Sequence, residues 1–243
     1  VILGCAFPEG EQGLNVARLI GLLADLPDSV AGTTVNRFCG SSMQAIHMAA
    51  GAIQMGAGDA FICGGIESMT RVPMLGFNPM PNPVLAKKQP GAYMGMGITA
   101  ENLAKKYQIS RKAQEEYAVE SHRKAAAAQA AGKFEDEIVA ITAAGAKVTR
   151  DGCIRPDTNL EALATLKAAF DQAGVVTAGT SSPLTDGASA CLVVSGDFAK
   201  AHGLKALARI KSIAVSGCDA TIMGYGPVPA SRKALKRAGI EVK

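Results

Sequence analysis

Val35-Asn36-Arg37-Phe38-Cys39-Gly40-Ser41-Ser42 places one cysteine between a short apolar run and a long helical pattern. Upstream, Thr33, Thr34 and Val35 are β-branched, and the pattern predicts a strand over Thr33 to Asn36. Downstream, apolar residues recur at helical spacing from Ser41 to Ala57, with few charges among them. Cys39 therefore falls at a strand-to-helix turn. The unpaired amides of a first helical turn, together with the helix dipole, favour negative charge, and so a thiolate able to attack an acyl carbon. The competing reading is a small apolar filler, because free cysteine is among the most buried residue types.

Working outward, Val1 to Ala6 reads as a buried strand and Leu14 to Ala24 as a helix that Leu26-Pro27 ends. With a strand at Ala60 to Cys63, the order alternates as βαβ units do, which predicts an α/β fold with a parallel or mixed sheet covered by helices. Residues 72 to 93 carry five prolines and predict a loop leaving the sheet. Helices are expected at Thr99 to Tyr107 and Arg111 to Ala131, the second capped by Ser110 and followed by Gly132. Glu137 to Thr142 alternates like an edge strand, Asp151 to Asn159 is rich in turn residues, and Ser189 to Ser195 is an apolar strand that returns to the sheet. The segment from Met69 to Leu184 is thus expected as an insertion between two strands of one sheet. A helix at Asp197 to Gly203, a strand at Ala208 to Val215 and a basic helix at Ser231 to Ala238 complete the pattern.

The chain of 243 residues is 48% apolar and 19% charged, enough to bury a substantial core as one large or two modest domains. No apolar run approaches the ~20 residues of a membrane span, and the first residues lack the basic segment of a signal peptide. A cytoplasmic or organelle-matrix setting is expected. Cysteines at 5, 39, 63, 153, 191 and 218 form no C-x-x-C pair, which argues against zinc or another metal and for reduced thiols. A net charge of +4 without tryptophan does not suggest nucleic acid, but it suits an anionic, nucleotide-bearing ligand.

Cys39-Gly40-Ser41-Ser42 with Gln44-Ala45, then Gly58-Asp59-Ala60 and Cys63-Gly64-Gly65-Ile66-Glu67-Ser68-Met69, resemble the amino-terminal half of the thiolase family. The resemblance continues through Met96 to Asn102, Thr177 to Ser182, Thr185-Asp186-Gly187-Ala188 and Ile222 to Pro227. It implies a mixed sheet belonging to half of a five-layer α-β-α-β-α fold, an amino-terminal domain over 1–205 with an inserted loop domain over 69–184, and the beginning of a carboxy-terminal domain at 206–243. It also implies that the chain lacks the family's first segment and most of its second half.

By the same resemblance the activity is that of an acyl-CoA C-acyltransferase. Such an enzyme cleaves 3-oxoacyl-CoA with CoA through an acyl group on Cys39, in fatty-acid β-oxidation. Coenzyme A enters as co-substrate, no cofactor is bound covalently, and the assembly is a homodimer or homotetramer. Arg155 would meet the nucleotide end of CoA, Phe170 and Ala178 its pantetheine arm, and Ser182 an arm amide, with Ser181 and Leu184 lining the tunnel. Met96 and Met223 would border the acyl group. The short-chain biosynthetic members resemble H-M-G where this chain has Gly95-Met96-Gly97, a departure that opens room for a longer acyl chain.

The three histidines offer no evident base. His47 lies eight residues beyond Cys39 on the same predicted helix, about 12 Å along its axis. His122 falls on an alanine-rich helix and His202 near a helix end. The family's histidine and second cysteine are expected outside these residues, so the chain alone should have the acyl acceptor without its activators. Glu67, Asp186, Cys5, Cys63 and Cys191 read as structural, with the three cysteines packed inertly in strands. Two other readings remain open: a short-chain acetyltransferase working in the condensing direction, and a relative that binds lipid without turnover.

Overall fold

Ile2, Leu3 and Gly4 form β1 (Ile2–Gly4), a strand buried along its whole length. Helix α1 (Val16–Leu23) follows, its first turn held by the Asn15 side chain, which accepts from the Arg18 amide. The chain returns in β2 (Thr33–Val35), parallel to β1 with Val35 opposite Gly4. Helix α2 (Ser41–Gln54) then crosses to β3 (Ala60–Glu67), parallel to β1 on its other side with Gly65 opposite Gly4. Ala45 and Ala49 of α2 are fully buried against Ile2 and Cys63, and Val35, Ile46, Phe61 and Val193 pack around them. Alanine on the buried face lets the helix approach the sheet closely.

The next stretch leaves the sheet. Helix α3 (Pro83–Lys88) starts at Asn82, whose side-chain oxygen accepts from the Val84 and Leu85 amides. A 3₁₀ turn at Pro90–Tyr93 leads to α4 (Met96–Tyr107) and α5 (Arg111–Ala130), with Ser110 accepting from the Ala113 amide at the head of α5. A hairpin of β4 (Ile141–Ala143) and β5 (Ala146–Val148) precedes α6 (Leu160–Ala164). Then β6 (Gly187–Val194) joins β3 in antiparallel pairing, giving the order β2-β1-β3-β6. Helices α7 (Gly196–Ala201) and α8 (Pro227–Ala238) follow.

This computed structural model describes residues 1–143 and 145–242. The sheet unit comprises Val1–Pro81, Leu184–Val215 and the chain from Ala230, while a second unit, the lobe, comprises Asn82–Pro183 and Ser216–Pro229. Among the described residues no helix is long and apolar enough to cross a membrane.

Several elements differ from the sequence pattern. Residues 72–93 are not loop throughout, because Asn82 and Pro83 supply a cap and a first helical residue for α3. The edge strand expected over 137–142 is confined to Ile141–Ala143, where β5 offers backbone to pair with. No strand forms at 208–215. Alternating apolar residues make a strand only where a neighbour supplies a ladder, and here α8 lies alongside instead. Ser212 Oγ, Lys233 Nζ and Arg237 Nη1 join the two segments by donating to the carbonyls of Ala234, Val215 and Ile213. Cys191 is not packed inertly: it lies opposite the buried Cys63, but on β6 it is exposed.

Candidate functional site

Four short links fix the turn that carries Cys39. Asn36 accepts from the Phe38 amide at 2.8 Å through Oδ1 and donates from Nδ2 to the Ala6 carbonyl at 2.9 Å. The buried Ser41 hydroxyl accepts from the Arg37 amide at 2.8 Å and donates to the Phe38 carbonyl at 2.5 Å. These bonds hold Phe38 at φ 45°, in the left-handed region that a bulky residue adopts only when its surroundings enforce it. The next residue, Cys39, is exposed. The cap position of α2 is Gly40, which has no side chain to satisfy the first-turn amides.

Two glycines let α2 start so close to the sheet. A Cβ on Gly4 would stand 2.4 Å from the backbone carbon of Ser41, and one on Gly65 would stand 1.9 Å from Ser42 Oγ. The sheet end is tied in turn by Glu67. Its carboxylate accepts from the Ala6 amide at 2.7 Å, the Phe7 amide at 3.4 Å and Gln12 Nε2 at 2.5 Å. Gln12 also bonds the Phe7 carbonyl and the Ser68 amide. Ala6 thus donates to Glu67 and accepts from Asn36, linking the end of β3 to the cysteine turn. Asp186 accepts from the Thr70 amide at 2.8 Å, and that bond holds its carboxyl below the usual range.

The other thiols in the sheet are unlike Cys39. Burial, reinforced by Glu67, pushes Cys5 up to about 11, and burial reinforced by Cys191 does the same to Cys63. Half-buried His47 is held below its ordinary value by burial and by Arg37. His202 packs its ring on Phe198, with centroids 4.2 Å apart. Among the described residues no histidine bonds to Cys39.

Within the lobe, the candidate ligand-binding residues gather on α4 and α5. Met96 opens α4, and a Cβ on the adjacent Gly97 would lie 2.2 Å from the Phe170 ring, so that ring rests on the first turn of the helix. Met223 lies in a 3₁₀ segment, Ala220–Tyr225, that Asn102 of α4 holds by donating to the Thr221 carbonyl at 2.9 Å. Residues 168–177 fold back on themselves through an Ala168–Thr177 bridge and an Ala169 amide that donates to Val176. Phe170 and Ala178 accordingly sit on opposite arms. Glu101 of α4 accepts from the Val175 amide at 2.9 Å and the Val176 amide at 2.8 Å, fixing the returning arm.

Ser181 donates to the Thr177 carbonyl at 2.8 Å, while Ala178 and Ser182 are exposed. Arg155 is exposed, and its amide donates to His122 Nδ1 of α5 at 3.2 Å. Leu184 and Cys39 belong to the sheet unit, and Leu184 is exposed. The supporting roles of Glu101, Gln12 and Asn36 escaped the sequence reading, and His122, weighed there only as a base, accepts from the Arg155 amide instead. Only the Glu101 word, Thr99-Ala100-Glu101-Asn102, carried a signal.

Residues 1–197 match the thiolase N-terminal domain and residues 204–243 the thiolase C-terminal domain. A 3-ketoacyl-CoA thiolase of Psychrobacter sp. (strain PRwf-1) is 52% identical across 100% of this chain and 64% of its own length. One from Shewanella loihica is 55% identical across 99% of this chain and 63% of its own. The chain therefore spans about 64% of the first of these relatives. The crystal structure of human mitochondrial 3-ketoacyl-CoA thiolase in complex with CoA superposes with a TM-score of 0.88 at 36% identity, over 99% of this chain and 64% of that one. The mixed sheet with helices packed on it is a thiolase-like fold, and the chain belongs to the thiolase family.

Proposed function

We propose that the protein containing this chain is an acyl-CoA C-acyltransferase that cleaves 3-oxoacyl-CoA with CoA, with Cys39 as acyl carrier. The exposed thiol at the head of α2, on a turn fixed by Asn36 and Ser41, carries this reading. As thiolate, Cys39 attacks the 3-keto carbon. The bond between C2 and C3 breaks, its electron pair takes up a proton at C2, and acetyl-CoA departs while the acyl group stays on sulfur as a thioester. The thiolate of CoA then attacks that thioester and frees Cys39. The activating histidine and the second cysteine are sought outside this chain.

In this reading Arg155 meets the nucleotide end of CoA, Phe170 and Ala178 its arm and Ser182 an arm amide, while Ser181 and Leu184 line the tunnel and Met96 and Met223 border the acyl group. Residues 69–184 act as the inserted loop domain of an amino-terminal domain over 1–205, and 206–243 begin the second domain. The reading includes a homodimer or homotetramer, a role in β-oxidation and a cytoplasmic or organelle-matrix setting. Intact mass spectrometry of the full-length enzyme mixed with 3-oxoacyl-CoA tests it. One acyl group on Cys39, absent from Cys39→Ala, is expected. Binding without a mass gain, or acylation elsewhere, would overturn it.

A further inference from the structure

Helix α6 spans five residues, Leu160–Ala164, too few for helical propensity to hold it. Arg111, the first residue of α5, grips its carbonyl end. Nη2 donates to the carbonyls of Leu163 at 2.9 Å, Leu166 at 2.7 Å and Ala164 at 3.3 Å. Nε donates to Glu115 one turn on, at 2.7 Å. The Glu115 side chain is only 7% exposed, and a buried carboxylate demands a partner, so the guanidinium is fixed in one orientation.

The residues held by their carbonyls also form the floor under the proposed pantetheine segment. A Cβ on Gly179 would come within 2.4 Å of Leu163 Cδ2 and 2.7 Å of Leu166 Cδ1. Gly179 adjoins Ala178 and lies two residues before Ser181, in a turn whose Thr177 is fully buried. Glu101 secures the chain entering this turn. The three heavy atoms nearest that position all belong to Leu163 and Leu166.

We propose that Arg111 is a positioning residue for coenzyme A, acting through Leu163 and Leu166 to set the height of Ala178 to Ser182, with Glu115 orienting it. The proposal rests on the reading that this segment receives the pantetheine arm. Lysine has the charge but not the fork, and cannot reach three carbonyls and a carboxylate together.

The test is steady-state kinetics and CoA calorimetry on the full-length enzyme bearing Arg111→Lys, Arg111→Met, Glu115→Gln or Gly179→Ala, assayed well below each melting midpoint. Arg111→Lys and Arg111→Met should each raise the KM for CoA about tenfold, with kcat at saturating CoA within about twofold. Gly179→Ala, which shifts the segment from above, should raise KM likewise, and Glu115→Gln by less. Lower melting midpoints with unchanged KM would overturn the proposal and leave Arg111 a packing residue. If Arg111→Met does not fold, the lysine variant decides. An unmodified enzyme that binds no CoA would overturn the functional reading itself, and this proposal with it.

Discussion

Gly4 and Gly65 lie opposite each other in adjacent parallel strands, and between them they leave the space that Ser41 and Ser42 of α2 occupy. The depth of the cysteine turn is set from beneath, by two missing side chains. Gly4→Ala would press on backbone atoms of Ser41 and Ser42, both 2.4 Å away, whereas Gly65→Ala would first meet the Ser42 hydroxyl, which can rotate. Overpacking of this kind costs about 1–3 kcal/mol, with Gly4→Ala expected toward the upper end and Gly65→Ala toward the lower. Urea midpoints order the two, and Gly4→Ala should also slow acylation of Cys39. Equal costs would mean that the helix start yields more readily than its hydrogen bonds imply.

Thiol reactivity should follow burial. Cys39, Cys191 and Cys218 are exposed, while Cys5 and Cys63 are buried and pushed up to about 11. Limited iodoacetamide should modify Cys39 first and spare Cys5 and Cys63, with loss of activity tracking Cys39 alone. Peptide mapping checks this, and early modification of Cys63 would contradict it.

The same two thiols give the sheet an alkaline limit. Each moves from an ordinary 9.0 to about 11 on folding. Between those values the folded state holds more protons than the unfolded, so stability falls as pH rises through that window and is fully kept below it. Melting midpoints recorded on either side of pH 9 should show the decline, and Cys63→Ala should make it shallower. Identical slopes in variant and parent would remove Cys63 from the explanation.

Arg155 offers an exposed guanidinium, with Lys147, Arg150 and Lys167 nearby in sequence. Losing one charge-assisted contact costs about 1.5–3 kcal/mol, so Arg155→Ala should weaken CoA binding about ten- to a hundredfold. The acylation rate at saturating substrate should hold. A parallel fall in that rate would give Arg155 a role beyond binding.

A Cβ on Gly95 would meet nothing within 4 Å. Each buried methylene contributes about 0.8 kcal/mol, so the preference for longer 3-oxoacyl-CoA should rise about fourfold per carbon until the pocket fills. Gly95→His should move the profile toward acetoacetyl-CoA. A parent profile already peaking at four carbons would show the space to be filled from elsewhere.

The sheet strands, α1, α2, α4 and α5 were legible because each carries its own period or end signal, as Ser110 does for α5 and Leu26-Pro27 for α1. The Cys39 turn was legible as a position, and its motif words pointed to a family. Its supports were not. Glu67 read as structural but without its partners, and Asn36 and Gln12 not at all: all three act through backbone groups of Ala6, Phe7 and Ser68, and such bonds leave no pattern in side-chain spacing. Arg111 and Glu115 show the same limit: their i, i+4 pairing is visible, yet the three carbonyls that give it a purpose lie about fifty residues away in sequence. The missing strand at 208–215 failed for a related reason, since a strand needs a neighbour that its own residues do not name.

Strands β3 and β6 pair antiparallel with Glu67 opposite Gly187, so residues 68–186 are inserted in the chain where a hairpin would have its turn. Closing a flexible loop costs only about 0.6 kcal/mol more for each doubling of its length. By that measure, a few residues added to an exposed loop of the inserted segment would cost the β3–β6 ladder little. Gly4, Ala6, Asn36, Ser41, Gly65 and Glu67 all precede that excursion. The residues that hold the Cys39 turn thus lie in one contiguous stretch of chain, completed before the inserted segment begins.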